Sequence, residues 1–340
     1  MENEDSLRTA INLQCNDIYD NDGVLRFLNN SDTDKNIGTR LICWLIRSRI
    51  IPSARSEWIQ RIISRYRSYK NICDKHFGGD IDSPLNKVDT ETAFSINADT
   101  KRTKTWYFRQ CECVGLASDI ISDSEIRAQR ILSLLSLENN SSYTQGNDRF
   151  AWVSLIVSLY FTSKSGLNPL VAEALAYFLT VFFVEINPIS QNIENFSYVE
   201  YHFSILDDMI SEETPHVYEL LKSANHKSMH YALKWELTLF ADEHSILNLL
   251  FIWDKILSFS DDIIDYVRWL CIAHIRQVPI PQMADEMAES IQRYRGWDVQ
   301  KIINETDQKI KETTQIGISE HIRMMFFECC SICHWDINPK

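Results

Sequence analysis

Glycine and proline are both scarce in this sequence, at 9 and 8 of 340 residues. β-rich chains rely on glycine for turns with positive φ, so the shortage argues against a sheet-dominated fold and for helices. No self-similar period of about 20–50 residues is present, which removes solenoids and propellers. A basic surplus is missing as well. Against 34 Lys and Arg stand 47 Asp and Glu, giving a formal net charge of −13 and a pI near 5.2. Such a surface opposes phosphate backbones and anionic lipid. Nucleic acid is disfavoured as a partner, and any phosphate chemistry needs a small local cationic group.

The first residues, MENEDSLRTA, have neither the basic nor the apolar region of a signal peptide. The most apolar windows, 150–161 and 170–186, fall short of a membrane span, and the second carries Glu173 and Glu185. Both are expected as buried core helices. The expectation is a cytoplasmic chain without a transmembrane segment, whose nine cysteines are reduced thiols. Near the end, Cys330-x-x-Cys333-His334 spells a c-type haem attachment. That chemistry requires an exported chain, so these residues are expected as packed thiols on a final helix. Cys111-x-Cys113 is too closely spaced to make a zinc site alone.

Residues 1–37 are acidic and polar, with Asp17, Asp20, Asp22, Asp32 and Asp34 among few apolar positions. They read as a mobile or loosely docked extension, with a short helix possible around Val24 to Leu28. From 38 to 335 the pattern is one all-α domain in two helical halves. Leu41, Trp44, Leu45 and Ile46 mark one helix, and Pro52 can start the next through Trp58, Ile62 and Ile63. Gly78, Gly79 and Pro84 mark a loop over 76–89. Ser122-x-x-Glu125 predicts a capping box opening a helix over 126–137. Ile246, Leu249, Leu250, Trp253 and Leu257 lie close to an i, i+3, i+4, i+7 stripe.

Two polar segments flank the helical region 106–138: SINADTKRTKTW over 95–106, and SSYTQG over 141–146. If antiparallel helices meet at the Ser122 cap, both segments emerge at one end. An arginine and a glutamine, Arg102 and Gln145, then share a surface. That pairing suits phosphoryl transfer to water, which needs a fixed cation against developing equatorial charge and a group that orients the attacking water.

Here the sequence resembles the TBC-domain Rab GTPase-activating proteins. Ile96-x-x-Asp99-x-x-Arg102 matches their arginine-finger motif, and Tyr143-x-Gln145-Gly146 their glutamine-finger motif. Ile51-Pro52 with Arg55 and Trp58, Glu173-x-x-Ala176-Tyr177-Phe178 and Pro215-x-x-Tyr218-x-x-Leu221 are similar to further family segments. So is Trp235-x-x-Thr238-Leu239-Phe240 with Trp253-Asp254. The order and spacing run from about residue 40 to beyond 257. After Gln145-Gly146 the family usually has methionine where this chain has Asn147, a change expected at a surface or wall.

The resemblance implies the TBC helical fold and a dual-finger mechanism on a GTP-bound Rab-family GTPase. Arg102 would stabilise charge on the γ-phosphoryl group and Gln145 would orient the water. Asp99 would position Arg102, while Ile96, Tyr143 and Gly146 would support the two motifs. The protein would need no cofactor, since GTP and Mg²⁺ belong to the partner, and peripheral membrane association would come through that partner. The other reading is a catalytically silent TBC-like helical module that binds a GTPase or a scaffold. A plain helical adaptor is the third. Outside the resemblance, Lys101 and Lys104 read as surface charges, and Arg109 and Arg149 fit no finger motif.

Overall fold

The computed structural model describes residues 2–15, 18, 20–30, 36–139, 143–259 and 263–313. Among these every regular element is a helix, and there is no strand. The first half comprises α1 (Glu2–Gln14), α2 (Asn21–Asn29), α3 (Ile37–Arg47), α4 (Trp58–Phe77), α5 (Thr90–Cys113), α6 (Ser118–Ile121), α7 (Ser124–Asn139), α8 (Asn147–Ser163), α9 (Pro169–Ile186) and α10 (Pro188–Asn192). The second comprises α11 (Phe196–Glu213), α12 (Pro215–Ser223), α13 (Met229–Leu237), α14 (Ile246–Ser258), α15 (Ile263–Ile275), α16 (Met287–Arg293) and α17, over 299–313.

The antiparallel hairpin of α8 and α9 forms the centre of the first half, with α3, α5 and α7 against α8 and α4 against α9. α8 is apolar on nearly every side because helices surround it; Phe150, Trp152, Leu155, Ile156, Leu159 and Phe161 have no exposed surface. α9 has the length and apolarity of a membrane-crossing helix. In this fold it is a core helix, and its Glu173 shows how. The fully buried carboxylate accepts hydrogen bonds from the Tyr69 hydroxyl (2.6 Å), Arg127 Nη1 (3.1 Å), Arg130 Nε (2.6 Å) and Arg130 Nη2 (2.8 Å). Three partners from α4 and α7 satisfy a charge that burial would otherwise forbid.

The halves meet at an aromatic cluster of Trp44, Phe150, Phe183 and Trp253, with ring centroids as close as 4.4 Å. Beside it, buried Asp254 accepts from Arg40 Nε and Trp44 Nε1, each at 2.8 Å. These contacts tie α14 to α3 and fix how the second half seats on the first.

Three expectations are corrected. The acidic N-terminal stretch is not loosely docked where it is described: Leu7, Ala10 and Ile11 of α1 and Val24 and Leu28 of α2 are buried in the core. Leu7, Ala10 and Ile11 form an i, i+3, i+4 stripe that the surrounding charge obscures. The Ser122 capping box is not formed. Ser122 donates to the Asp119 carbonyl, and α7 begins at Ser124, with the Asp123 carbonyl taking its first backbone bond from Arg127. Finally, the polar segment 95–106 does not flank the helical region but is the middle of the 24-residue helix α5. Cys330, Cys333 and His334 lie outside the described residues, as do Asp17, Asp32, Asp34 and Ser141. Cys111 is buried and Cys113 exposed, on different sides of α5. Among the described residues no group of three metal-ligating side chains converges.

Candidate functional site

α5 opens on Asp89, whose carboxylate accepts from the Thr92 amide at 2.9 Å. Its inward stripe is Thr92, Ile96, Asp99, Thr100, Thr103, Tyr107 and Cys111, all buried at helical spacing though several are polar. The hydroxyls are accommodated locally: Thr100 donates to the Ile96 carbonyl and Thr103 to the Asp99 carbonyl, both at 2.8 Å. Thr103 in turn accepts from Trp152 Nε1 on α8, at 2.6 Å. α7 runs antiparallel alongside, pairing Gln129 with Thr100, Lys104 with Glu125 and Tyr107 with Ser124. Arg102 therefore leaves from mid-helix rather than from a helix end.

The chain reaches it again after α7. The Tyr143 hydroxyl donates to Asp99 Oδ2 at 2.9 Å, while Asp99 Oδ1 pairs with Arg102 Nη2 at 2.8 Å. One buried carboxylate thus bridges the two motifs. Burial, with Asp148 and Asp99 nearby, pushes the Tyr143 phenol well above its ordinary value, so it remains a donor. Two residues on, with its amide oriented to face donor with acceptor, Gln145 Oε1 accepts from Arg102 Nη1 (3.1 Å) and Nη2 (3.3 Å). Side chains 43 positions apart in the sequence are in contact. Arg102 is 57% exposed, and Gln145 is exposed beside it.

Gly146 follows with φ +104° and begins α8. A Cβ there would stand 3.3 Å from Thr238 Cγ2 and 3.5 Å from Leu237 Cγ. Glycine is required twice, by backbone conformation and by the close approach of the second half. That opposing wall is set by a tight turn after α13, in which Leu239 (φ 45°) and Phe240 (φ 63°) are both left-handed. The turn is held by Phe240 N–H donating to the Trp235 carbonyl (2.7 Å) and Trp253 Nε1 to the Leu239 carbonyl (2.9 Å). Asn187, between α9 and α10, donates to the Glu236 and Leu237 carbonyls.

The result is an open cleft of about 420 Å³ with Arg102 and Gln145 on one wall and Lys234, Leu237 and Thr238 on the other. Arg149 also lines it but differs from Arg102 in its pairing. It bonds Asp242, approaches Asp148 at 3.5 Å and stacks over the Trp106 ring. Burial raises Asp148 above the usual carboxylate range. Burial would raise Asp242 too, but Arg149 and Lys234 outweigh it and hold that carboxyl below its ordinary value. Asp148, Arg149, Lys234 and Asp242 were not singled out from the sequence as site residues. Their signal was position: two directly follow Gly146-Asn147, and two flank the Trp235-x-x-Thr238-Leu239-Phe240 segment. Asn147 is not at a surface. It is 3% exposed and accepts from the Ser190 hydroxyl at 3.0 Å, joining α8 to α10. Ile96 is fully buried beneath the site.

The family model for the Rab-GTPase-TBC domain matches residues 39–279. No curated protein matches the sequence significantly. Among solved structures, the chain resembles the crystal structure of the Ypt/Rab-GAP domain of Gyp1p, with a TM-score of 0.61 at 12% identity. The likeness covers 92% of this chain and 98% of that one, and concerns the fold. With more than half its length matched by the family model, the chain belongs to the Rab-GTPase-TBC domain family.

Proposed function

We propose that this protein is a GTPase-activating protein for Rab-family small GTPases, acting in trans on the GTP-bound form with Arg102 and Gln145 as its two fingers. The carrying observation is that these side chains touch at 3.1 Å on one open cleft, with Arg102 braced by the buried Asp99. A guanidinium held by one carboxylate arrives at the γ-phosphoryl group preoriented, and its charge can meet the equatorial oxygens. The Gln145 amide, set by the rigid N-terminal turn of α8, orients the attacking water. The pair supplies charge and orientation and no bond-making group, so GTP and Mg²⁺ come with the partner and no cofactor is called for here. The protein works in the cytoplasm, meeting membranes through the GTPase.

An arginine finger contributes about 10³–10⁵ in rate, equivalent to roughly 4–7 kcal/mol of barrier. The test is single-turnover GTP hydrolysis across a panel of Rab GTPases, with Arg102→Ala and Gln145→Ala beside the native protein. Acceleration by the native protein that falls by about three orders of magnitude in Arg102→Ala supports the reading. Unchanged acceleration in that variant refutes the finger assignment. If the native protein binds GTP-loaded Rab without accelerating any member, it is the silent binding module.

A further inference from the structure

Away from the finger cleft, four arginines converge in a protein whose net charge is −13. Arg47 and Arg49 at the end of α3, and Arg61 and Arg65 on α4, line a cleft of about 700 Å³, within the size range of small-ligand sites. No carboxylate lines it among the described residues, and it shares no lining residue with the finger cleft. Apolar side chains line it as well, among them the half-buried Phe182 and Ile186 of α9.

The arginines are held in place. Arg47 Nε donates to the Leu257 carbonyl (3.0 Å) and Arg65 Nε to the Ile50 carbonyl (3.1 Å), with Arg65 also over the Phe178 ring. Arg49 sits at φ 57°, in the turn where Arg49 and Ile50 N–H donate back to the Ile46 and Leu45 carbonyls. Glycine or asparagine adopts that conformation more cheaply, by about 1–2 kcal/mol, so an arginine there is a conformational cost. Among the described residues, Arg49, Arg61 and Arg65 have no ion-pair partner. Burial, then the like charge of neighbouring Arg61, holds the Arg65 guanidinium below its ordinary value.

We infer that this cleft binds the multiply phosphorylated headgroup of a membrane lipid. Arginine forks match phosphate oxygens bidentately, and several fixed forks select clustered phosphates over single carboxylates. The apolar lining residues favour a lipid-borne ligand, whose glyceryl and acyl portions need apolar surface. Phe182 and Ile186 lie at the C-terminal end of α9, and Gly146 opens its antiparallel partner α8, so cleft and fingers occupy the same end of the central hairpin. A lipid held there keeps the finger cleft close to the membrane.

The test uses the full chain, without any GTPase, so it stands or fails independently of the finger reading. Vesicles containing phosphatidylinositol bisphosphate are compared by co-sedimentation with phosphatidylserine vesicles of equal charge density, and inositol trisphosphate is titrated in solution. The expected result is binding to the bisphosphate vesicles alone of the two, weakened about tenfold or more in the Arg49→Asn/Arg61→Gln double variant, the size of one or two charge-assisted hydrogen bonds. Both residues are exposed and Arg49→Asn suits positive φ, so the variant's thermal melt should match the native one. Equal binding to both vesicles, unchanged binding in the variant, or binding of inositol trisphosphate without vesicle binding overturns the lipid assignment.

Discussion

Replacing Asp99 with asparagine separates a side chain that positions from one that reacts. The Asp99 carboxylate holds Arg102 Nη2 on one oxygen and receives the Tyr143 hydroxyl on the other. Because Arg102 is 57% exposed, solvent screens the pair, and its worth to folding is no more than roughly 1 kcal/mol. Its worth to catalysis is orientational. The amide keeps the shape and one acceptor but loses the charge assistance, a difference of about 1–2 kcal/mol. At 1.36 kcal/mol per decade this is roughly a 5–30-fold fall in kcat/KM for GTP hydrolysis by a responsive Rab. Arg102→Ala should cost about 10³ or more, so the two variants should differ by well over a decade. Single-turnover hydrolysis, with thermal melts to confirm folding, measures both. If Asp99→Asn matches native acceleration while Arg102→Ala is inactive, the guanidinium needs no brace and the reasoning fails. If a folded Asp99→Asn protein is as inactive as Arg102→Ala, Asp99 takes a direct part in the reaction.

Three other perturbations probe the scaffold. Glu173→Ala leaves Arg127 and Arg130 with only the exposed Asp123 and Asp82, each at 3.7 Å, and should lower unfolding free energy by about 3–5 kcal/mol, read from urea midpoints; a loss below about 1 kcal/mol would show that water reaches this cluster. Gly146→Ala forces a Cβ onto a left-handed backbone 3.3 Å from Thr238 Cγ2. It should cost about 1–2 kcal/mol in stability, and Rab acceleration should fall further as Gln145 shifts; native activity with an unchanged melt would remove the constraint. Asp148→Asn tests pH dependence. Burial raises Asp148, so above its folded value both states are ionised and the full desolvation cost is present, while below the unfolded value of about 3.9 both are protonated and the cost is gone. The asparagine variant should therefore gain stability over the native protein near neutral pH, a gain that shrinks toward about pH 4. A gain independent of pH would mean that ionisation of Asp148 is not its source.

The windows that became α8, α9 and α14 were legible because large apolar side chains set their periodicity and the fold buries them. α5 was not, because apolarity is a proxy for burial and fails where buried positions are polar. Thr100 and Thr103 face inward with hydrogen bonds to helix carbonyls and from Trp152, and Asp99 with its carboxylate held by Tyr143 and Arg102, so the middle of a 24-residue helix read as a polar segment outside the helical region. The same failure explains Arg102. Nothing local separates it from Arg149, since each is an arginine near aspartate in a polar stretch, and only the motif resemblance ranked them. Three-dimensional pairing gives the physical distinction. Arg149 is covered by Trp106, bonded to Asp242 and close to Asp148, and withdrawing it would leave the buried Asp148 without its neighbouring cation and Asp242 with Lys234 alone. Arg102 has a single carboxylate behind it and a neutral amide beside it, with more than half its side chain in solvent. A cation can be offered to another molecule's phosphate only where leaving its own partners costs little, and that cost is set by which distant carboxylates the fold brings near.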